Sequence, residues 1–326
     1  MSVVVDPGAR RKAVRAGLVM AIASAATFGS SGAMAKALIE TGWTAGSAVL
    51  VRLGGAAILL SIAAAISLRG RIRLRGASIR TLVLYGVVAM AGTQLAFFNA
   101  VRTLDVGVAL LLEFLAPVML LAWTSVRSRT LPRRATLFGA GLTIVGLAFV
   151  IEVAGASGVD PVGVAWGLLA AVCLAGFFVI SARQDEDLPP LIMAAGGTAV
   201  GAVVIGVAGL VGVVPLSFGT SDTVLAGFSV SWLVPAAWLV VMSTVVAYVT
   251  GIRAILRLGT RVASFVALTE VLFAVLVAWV LLAELPGLWQ LIGGICIVVG
   301  ILIVQRDDTG PVPPAPPATI EATHPV

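Results

Sequence analysis

Two glutamates, Glu113 and Glu270, stand inside long hydrophobic stretches of the sequence. Each lies about nine residues from an end of its stretch, about 13 Å along a helix and close to the middle of a bilayer. A charge at that depth costs about 2.5 to 3.5 kcal/mol even on a lenient insertion scale, so ionisable residues there are candidates for function. Such a carboxyl group can exchange a proton near neutral pH or pair with a substrate ammonium, whereas the structural alternative is a protonated, hydrogen-bonded glutamate.

Five further polar residues interrupt the hydrophobic stretches. Lys36 and Arg52 lie near the outer ends of the first two stretches, where long side chains can snorkel to water. The alternative hypothesis is that one of them attracts an anionic group at the outer mouth or neutralises a glutamate. Gln94, Asn99 and Tyr248 could hydrogen-bond either a substrate or a neighbouring helix. With the two glutamates, these residues form the predicted substrate- and proton-binding set.

The sequence offers little other chemistry. The one histidine, His324, stands in a proline-rich tail, which leaves no histidine for a metal cluster or a Ser-His-Asp triad. Cys173 and Cys296 lie in apolar runs without a CxxC pair, which indicates packing. Nucleotide-binding motifs are absent. We therefore predict no metal, no cofactor and no enzymatic activity.

Composition indicates a membrane protein. Of the 326 residues, 60% are hydrophobic and 11% are charged, and the mean hydropathy is +1.12; soluble domains are about half apolar and a quarter charged. Apolar runs of spanning length lie at roughly 16–38, 44–68, 79–101, 104–126, 135–151, 161–182, 190–213, 231–252, 262–282 and 287–304. Because lipid supplies no hydrogen-bond partners, each run must be a helix. The predicted fold is all-α and integral to the membrane, with ten transmembrane helices.

The basic residues predict how these helices are oriented. Of the 21 Lys and Arg residues, eighteen fall in alternate connections or at the two ends of the chain, and the opposite connections hold only Arg102. By the positive-inside rule, both termini are cytoplasmic. We expect the protein to lie in the cell inner (plasma) membrane. The pI of about 10.3 therefore reflects topology, and no nucleic-acid partner is predicted because the basic residues are not interleaved with exposed aromatics.

The two ends of the chain are expected to lie outside the bundle. Residues 1–15 are predicted as a cytoplasmic segment, although Arg10 to Lys12 followed by an apolar run and Ala33-Met34-Ala35 imitate a cleaved secretory signal. Removal of the first helix would spoil the charge alternation, so an uncleaved helix is the better interpretation. Residues 306–326 are rich in proline and are predicted to be a disordered cytoplasmic tail.

An internal repeat divides the membrane region. A shift of 154 residues places 100–150 on 254–304 without a gap, with twelve identities among the 51 positions, including Gly139 on Gly293 and Gly146 on Gly300. The predicted units are 16–152 and 160–305, with five helices each. Because five is odd, the second unit must enter the membrane inverted, and two inverted halves can open a central site alternately to each side. The same shift places Glu270 on Ala116, which lies one helical turn from Glu113. The pseudo-symmetry of the two units therefore predicts that both carboxylates point towards the shared centre.

Several short segments carry a family resemblance. In the first half they are Phe28-Gly29-Ser30-Ser31, Ala35-Lys36, Arg52 and Glu113-Phe114-Leu115-Ala116-Pro117; in the second half they are Ser243-Thr244, Tyr248, Thr269-Glu270, Glu284 and Gln290-Leu291-Ile292-Gly293-Gly294. This pattern resembles the EamA-type transporters of the drug/metabolite transporter superfamily over essentially the whole membrane region. The Ala-Lys and Leu-Glu-Phe-x-x-Pro segments are most similar to the threonine/homoserine exporter branch. One departure is Val271, which stands where the family usually has a proline.

The resemblance implies a proton-linked or passive exporter of amino acids, metabolites or drugs, with the substrate held between the two halves. We therefore predict a secondary transporter that exports a small polar metabolite, an amino acid or a related compound, by alternating access. Its predicted partners are the small-molecule substrate and the lipid bilayer, with a homodimer left open. The alternatives are a membrane-embedded transferase or lipid-modifying enzyme, and a channel or structural membrane subunit.

Overall fold

The computed structural model describes residues 7–68, 76–129, 133–154, 160–181 and 189–307. Residues 1–6 and 308–326, which hold parts of the predicted N-terminal segment and proline-rich tail, lie outside this range. The helices are α1 (Pro7–Ile39), α2 (Ala45–Leu68), α3 (Gly76–Leu84), α4 (Thr93–Ala100), α5 (Val106–Glu113), α6 (Ala116–Ser128), α7 (Arg134–Ala154), α8 (Pro161–Ser181), α9 (Pro190–Leu210), α10 (Leu233–Val240), α11 (Ala247–Ala267), α12 (Thr269–Leu282) and α13 (Leu288–Asp307).

Helices occupy all ten hydrophobic runs of the sequence. Within the described residues, seven helical stretches are long and apolar enough to cross a membrane. Three further helices, Arg134–Phe149, Thr269–Leu282 and Leu288–Val304, are apolar but shorter. Large apolar side chains remain exposed on the outside of the bundle, among them Ile66, Val126 and Leu256. A surface of this kind is matched by lipid and not by water, so the chain is a multi-pass membrane protein.

Two helical runs change winding near their middle. A π-helical segment, Tyr85–Gly92, joins α3 to α4, and a second, Val241–Val246, joins α10 to α11. A threonine hydroxyl at each segment donates to the carbonyl five residues earlier: Thr93, directly after the first segment, to Val88 at 3.2 Å, and Thr244, within the second, to Leu239 at 2.8 Å. π-Helical turns are rare in proteins, and those that occur often lie at functional sites.

The second half differs from the sequence prediction in two places. The predicted connection at 253–261 is largely helical, because α11 continues past the hydrophobic run until Gly259, whose φ of 79° and ψ of 160° break it. Residues expected to be loop form a hairpin of β1 (Thr223–Leu225) and antiparallel β2 (Phe228–Val230). Its turn residues, Ala226 and Gly227, both have positive φ, as a two-residue type I′ turn requires.

The helices pack in pairs across the two halves of the chain. α1 packs on α11 and α12, α8 packs on α4 and α5, α2 packs on α9, and α7 packs on α13. The α7–α13 pair is closest at two glycine contacts: a Cβ on Gly139 would meet the backbone of Gly300, and a Cβ on Gly146 would meet the backbone of Gly293. Small residues of this kind let membrane helices approach closely. The packed core lies at the centre, where α1, α2, α4 and α5 meet.

Proline and aspartate residues stand at the starts of some of the helices. Proline at the first position starts α8 and α9, where its missing N–H costs no helical hydrogen bond. Before α8, the Asp160 carboxylate accepts a hydrogen bond from the backbone N–H of Val162 at 3.0 Å, and this bond lowers the pKa of the Asp160 carboxyl group. The start of α8 is therefore stabilised most when Asp160 is ionised.

Candidate functional site

Arg52 of α2 lies in the centre of the bundle, with only 1% of its surface exposed. Its guanidinium donates from Nε to Thr244 Oγ1 at 3.0 Å, from Nη1 to Gln94 Oε1 at 2.7 Å, and from Nη2 to the Ser243 carbonyl at 3.0 Å. It also lies over the Phe98 ring, 5.5 Å from the centroid. The expectation that Arg52 snorkels to water is therefore wrong. A buried cation needs several oriented acceptors, and two helical runs supply them here.

A hydroxyl network continues from Arg52 to α1 and α10. Ser243 Oγ lies 3.2 Å from Ser30 Oγ, and the indole N–H of Trp238 donates to Ser30 Oγ at 2.8 Å. Ser30 in turn donates to the Thr27 carbonyl at 2.7 Å. This network joins α1 to the second π-helical segment. Ser30 and Ser243 carried the family resemblance, but they and Trp238 were not among the predicted site residues, because serines and a tryptophan in hydrophobic runs are usually explained by helix packing.

Tyr248 follows the second π-helical segment, as Gln94 follows the first. Its ring meets Phe28 of α1 edge-on, with centroids 5.1 Å apart, and its hydroxyl donates to Met90 Sδ at 3.4 Å. Tyr248 also lies close enough to Arg52, Glu113 and Glu270 to interact with their charges. The predicted residues Gln94, Tyr248 and Arg52 are therefore neighbours in the structure.

Glu113 and Glu270 both lie at breaks in the helices. Glu113 is the last residue of α5, and Phe114 and Leu115 separate it from α6. Glu270 is the second residue of α12, which Leu268 separates from α11. The two carboxylates and Arg52 lie near enough to interact electrostatically. Helices broken near the midplane are the usual elements from which transporters build their binding sites.

The two carboxylates differ from Arg52 in lacking a polar partner among the residues that the structure describes. No hydrogen bond or ion pair joins Glu113 or Glu270 to any other described residue, in contrast to the three bonds of Arg52. Both side chains lie deep in the protein and retain intermediate exposure. Buried polar groups in proteins are normally satisfied, so two carboxylates without a described partner are candidates for binding a proton or a ligand.

Asn99 is placed apart from this cluster. Its amide donates to the Leu95 carbonyl at 2.8 Å, and its Oδ1 accepts from Arg102 at 3.4 Å near the end of α4. These bonds are local to one helix end. The structure therefore brings together Arg52, Gln94, Tyr248 and the two glutamates, and leaves Asn99 outside.

Lys36 forms an ion pair with Glu284, and its expected snorkelling to water is not seen. Only 16% and 13% of the two side chains are exposed. Lys36 Nζ also donates to the Leu104 carbonyl at 3.1 Å, and Glu284 Oε2 accepts from the backbone N–H of Val106 at 2.9 Å. We call these four groups the latch. The latch ties the end of α1 to the start of α5 and to the link between α12 and α13.

Residues 211–232, here called the cap segment, cover the same end of the bundle as the latch. Trp43, at the α1–α2 corner, is 4% exposed and packs against Phe218 and Trp232 at centroid distances of 5.2 and 5.5 Å. Its indole N–H donates to the Gly219 carbonyl at 2.6 Å. Trp43 therefore packs inside the protein, although a tryptophan near the end of an apolar run is usually found at the membrane interface.

The β-hairpin fixes the cap segment to the helix ends. Thr223 Oγ1 donates to the Ala37 carbonyl of α1, and the Ala226 N–H donates to the Leu281 carbonyl of α12, both at 2.9 Å. The cap segment and the latch together close one end of the bundle by polar bonds between distant parts of the chain.

A lateral cavity of about 240 Å³ lies between α5, α12 and α13, beside the latch. Its walls are mainly apolar, and Asp105, Glu284 and Gln290 supply the polar groups. Several of its lining residues, including Leu272 and Ile295, are exposed on the outside of the bundle. This cavity therefore opens sideways, and neither Glu113 nor Glu270 lines it.

Comparison with known proteins identifies relatives of this arrangement. The model of the EamA-like transporter family matches residues 15–152 and, separately, residues 161–306. A search of curated proteins returned no match. Among solved structures, one described as "Crystal structure of protein" aligns with a TM-score of 0.55 and 20% identity, covering 90% of this chain and 98% of that one. That likeness shows a shared fold.

Proposed function

The chain belongs to the EamA-like transporter family, and from that premise we propose that it is a secondary transporter that exports a small polar metabolite, an amino acid or a related compound. The observation that carries the proposal is that Glu113 and Glu270 both stand at helix breaks in the interior and have no polar partner among the described residues. We place the protein in the plasma membrane with ten crossings and cytoplasmic termini, as the distribution of basic residues indicates.

An inverted repeat is supported by the helix contacts. The 154-residue shift places Gly139 on Gly293 and Gly146 on Gly300. If a two-fold axis exchanges the halves, the contact between Gly139 and Gly300 must therefore be repeated as a contact between Gly293 and Gly146. Both contacts occur. The packing of α1 on α11 likewise corresponds to that of α8 on α4 and α5, and the packing of α1 on α12 corresponds to that of α8 on α6. The two separate family matches also divide the chain between these halves.

The irregular elements support the same symmetry. The shift places Phe114, in the break after α5, on Leu268, in the break before α12. It also places Gln94 on Tyr248, each two residues after the end of a π-helical segment. Repeat-related breaks around one centre are the arrangement that lets two inverted halves exchange conformations about a fixed site.

The latch and the cap segment favour a carrier rather than an open channel. With the proposed topology they lie on the outer side, where they close the end of α1 to α5, α12 and the link to α13. A carrier must close one side before it opens the other. The alternative of a membrane-embedded enzyme has less support, since the family whose model matches this chain is a transporter family.

Transport by purified protein tests the proposal. In proteoliposomes, flux of a substrate found by screening amino acids and related metabolites should saturate and turn over far more slowly than channel flow. If a glutamate carries the coupling proton, Glu113→Gln or Glu270→Gln should abolish uptake driven by a pH gradient while the protein still folds. Glutamine keeps the shape and hydrogen bonding of glutamate but cannot ionise.

The matched control is Glu40→Gln, which removes an exposed carboxylate at the end of α1, far from the centre. It should transport at the parental rate. If both central glutamine variants also keep the parental rate across a pH gradient, neither glutamate is the proton carrier. A channel-like, non-saturating flux would instead contradict the carrier proposal itself.

A further inference from the structure

We propose that the lateral cavity between α5, α12 and α13 binds one phospholipid of the surrounding membrane. An acyl chain of the lipid lies inside the cavity, and a headgroup with a primary ammonium lies at its polar end. The proposal depends on the chain being a membrane protein and not on the transport of any substrate. It gives a ligand to a cavity that neither Glu113 nor Glu270 lines.

The cavity exists because two consecutive helices pack on different neighbours. α12 packs on α1 and α5, whereas α13 packs mainly on α7, so α12 and α13 make little contact with each other. α5 closes the inner side of the gap between them. A Cβ on Gly107 of α5 would meet Val275 of α12 at 2.8 Å, and a Cβ on Gly294 of α13 would meet Leu111 of α5 at 3.3 Å. The gap is therefore closed towards the interior and open towards the outside.

The size and the walls of the cavity fit a hydrocarbon chain. Its volume is about 240 Å³, and its walls are mainly apolar. An apolar protein cavity of about 150 Å³ stays dry and takes a hydrocarbon ligand. Leu272 and Ile295, which line the cavity, are also exposed on the outside of the bundle. Because lipid surrounds the bundle at this level, the hydrocarbon that reaches the cavity is an acyl chain.

The polar end of the cavity lies at the level of the lipid headgroups. Trp279, in the last turn of α12, and Trp289, in the first turn of α13, are both exposed on the outside of the bundle. Exposed tryptophans at helix ends are typical of the membrane interface. Glu284 lies in the link between the same two helices, and Gln290 lies at the start of α13. A lipid whose chain fills the cavity therefore has its headgroup beside these polar residues.

The charges at the polar end select the headgroup. The described residues that line the cavity include two carboxylates, Asp105 and Glu284, and no lysine or arginine. Lys36 neutralises Glu284, whereas the exposed Asp105 forms no hydrogen bond or ion pair with any residue that the structure describes. A carboxylate of this kind repels an anionic headgroup. It can accept a charge-assisted hydrogen bond from a primary ammonium, which a choline group cannot donate.

Gln290 supplies a donor beside this acceptor. Its Oε1 accepts a hydrogen bond from the backbone N–H of Gly287 at 2.9 Å, and its amide N–H groups have no acceptor among the described residues. A side-chain amide can donate to a phosphate or an ester oxygen. The cavity therefore presents an acceptor for the ammonium and a donor for the phosphate or ester, which together match a zwitterionic ethanolamine lipid.

Lipid binding by the purified full-length protein tests the proposal. Protein stripped of lipid in detergent is mixed with phosphatidylethanolamine, phosphatidylcholine or phosphatidylglycerol with the same acyl chains, and bound lipid is counted by native mass spectrometry. We expect phosphatidylethanolamine to bind about fivefold more tightly than the other two, because only its headgroup can donate a charge-assisted bond to Asp105. It should also raise the thermal midpoint most, since a ligand of the folded state stabilises that state.

Three variants locate the site. Val298→Phe places a ring in the cavity and should weaken binding of each lipid about tenfold, because the ring and the acyl chain compete for the same apolar surface. Val280→Phe is the matched control, since Val280 is exposed on α12 but does not line the cavity, and it should bind lipid as the parent does. Asp105→Asn keeps the cavity and should remove only the preference for phosphatidylethanolamine.

Equal binding by the parent and Val298→Phe would overturn the acyl-chain site. Equal binding of the three lipids by the parent, or a preference that Asp105→Asn leaves unchanged, would overturn the assignment of the headgroup. A dimer that binds no lipid and that Val298→Phe dissociates would show that a second copy of the chain covers the cavity, which would also overturn the proposal.

A second measurement applies if Val298→Phe does not fold. The parent is labelled with a phosphatidylethanolamine that carries a photoreactive diazirine in its acyl chain. Adducts should concentrate on the cavity walls of α12 and α13 over the exposed face of α2 at Ile62 and Ile66. An even distribution of adducts between these surfaces would contradict a defined site. None of these measurements requires flux, so their outcomes are separate from those of the transport assay.

Discussion

At the scale of single residues, the three ionisable groups at the centre differ in whether they have hydrogen-bond partners. Arg52 has three hydrogen-bond partners from two distant parts of the chain, whereas Glu113 and Glu270 have none among the described residues. A buried cation held by several hydrogen bonds favours one arrangement of the helices that it joins. Carboxylates without a partner among the described residues remain available to a ligand or proton. The structure thus separates a positioning residue from the two residues that are proposed to bind.

The latch yields a prediction for one residue. Glu284→Gln keeps an acceptor for the Val106 N–H but removes the charge that neutralises Lys36, which is 16% exposed. Leaving a partly buried ammonium unpaired weakens closure of this end by about 1 to 3 kcal/mol. We expect an impermeant thiol reagent added outside cells to label Cys173, which lies on α8 close enough to Glu113 to sense its charge, several-fold faster in this variant.

Glu40→Gln, an exposed position at the same end of α1, is the matched control and should leave the labelling rate unchanged. Equal rates in the parent, Glu284→Gln and Glu40→Gln proteins would show that the latch does not govern access from outside.

At the scale of elements, the regular helices provide the bundle and their irregularities provide the site. The π-helical segments precede Gln94 and Tyr248, and the breaks after α5 and before α12 hold the two glutamates. In each case the backbone departs from the regular α-helix next to a polar side chain that lies near the centre of the bundle. The carbonyl of Ser243, inside the second π-helical segment, accepts a bond from Arg52.

The α7–α13 pair gives a prediction at this scale. Gly139→Ala places a methyl group against the Gly300 backbone, so the two helices must separate, at a cost of about 1 to 3 kcal/mol. The thermal midpoint in detergent should fall. Gly141→Ala is the matched control on the same helix, because a Cβ there meets no atom within 4 Å, and it should be neutral or slightly stabilising, since alanine favours helix over glycine. Equal midpoints for the two variants would contradict close packing at Gly139.

At the scale of the whole molecule, two similar halves share one centre. α1, α2, α4 and α5 from the first half meet α11 and α12 from the second around the Arg52 cluster, while the cap segment and latch close a single end. The pseudo-symmetry is therefore incomplete: the cap segment has no counterpart of the same kind among the described residues of the first half. This asymmetry distinguishes the two ends of the bundle.

The proposed topology predicts which ends are accessible in intact cells. Cysteines at Glu40 and Ser221, which are exposed near the cap segment, should react with an impermeant thiol reagent added outside. A cysteine in the basic connection at 69–75 should react only after the cells are opened, because the positive-inside rule places that connection in the cytoplasm. Labelling of the 69–75 connection in intact cells would reverse the assignment of the two sides.

The sequence by itself determined the membrane class, the positions of the helical runs, the family and the location of the two glutamates inside apolar runs. These properties depend on hydrophobicity, charge distribution and spacing along the chain. Because an unpaired backbone N–H or C=O is too costly in lipid, an apolar run of spanning length must form a helix. Gln94, Tyr248, Glu113 and Glu270 stand out in the sequence for the same reason, since each is a polar side chain inside an apolar run.

Only the tertiary structure decided which partners the polar side chains take. A lysine or arginine near a helix end has the same local sequence whether it snorkels to water or turns inwards, and the choice depends on acceptors that distant parts of the chain bring near. Arg52 meets Ser243 and Thr244, and Lys36 meets Glu284, only after the two halves of the chain have packed. The energy of a buried charge is set by such packed neighbours, so no local pattern could have assigned these pairs.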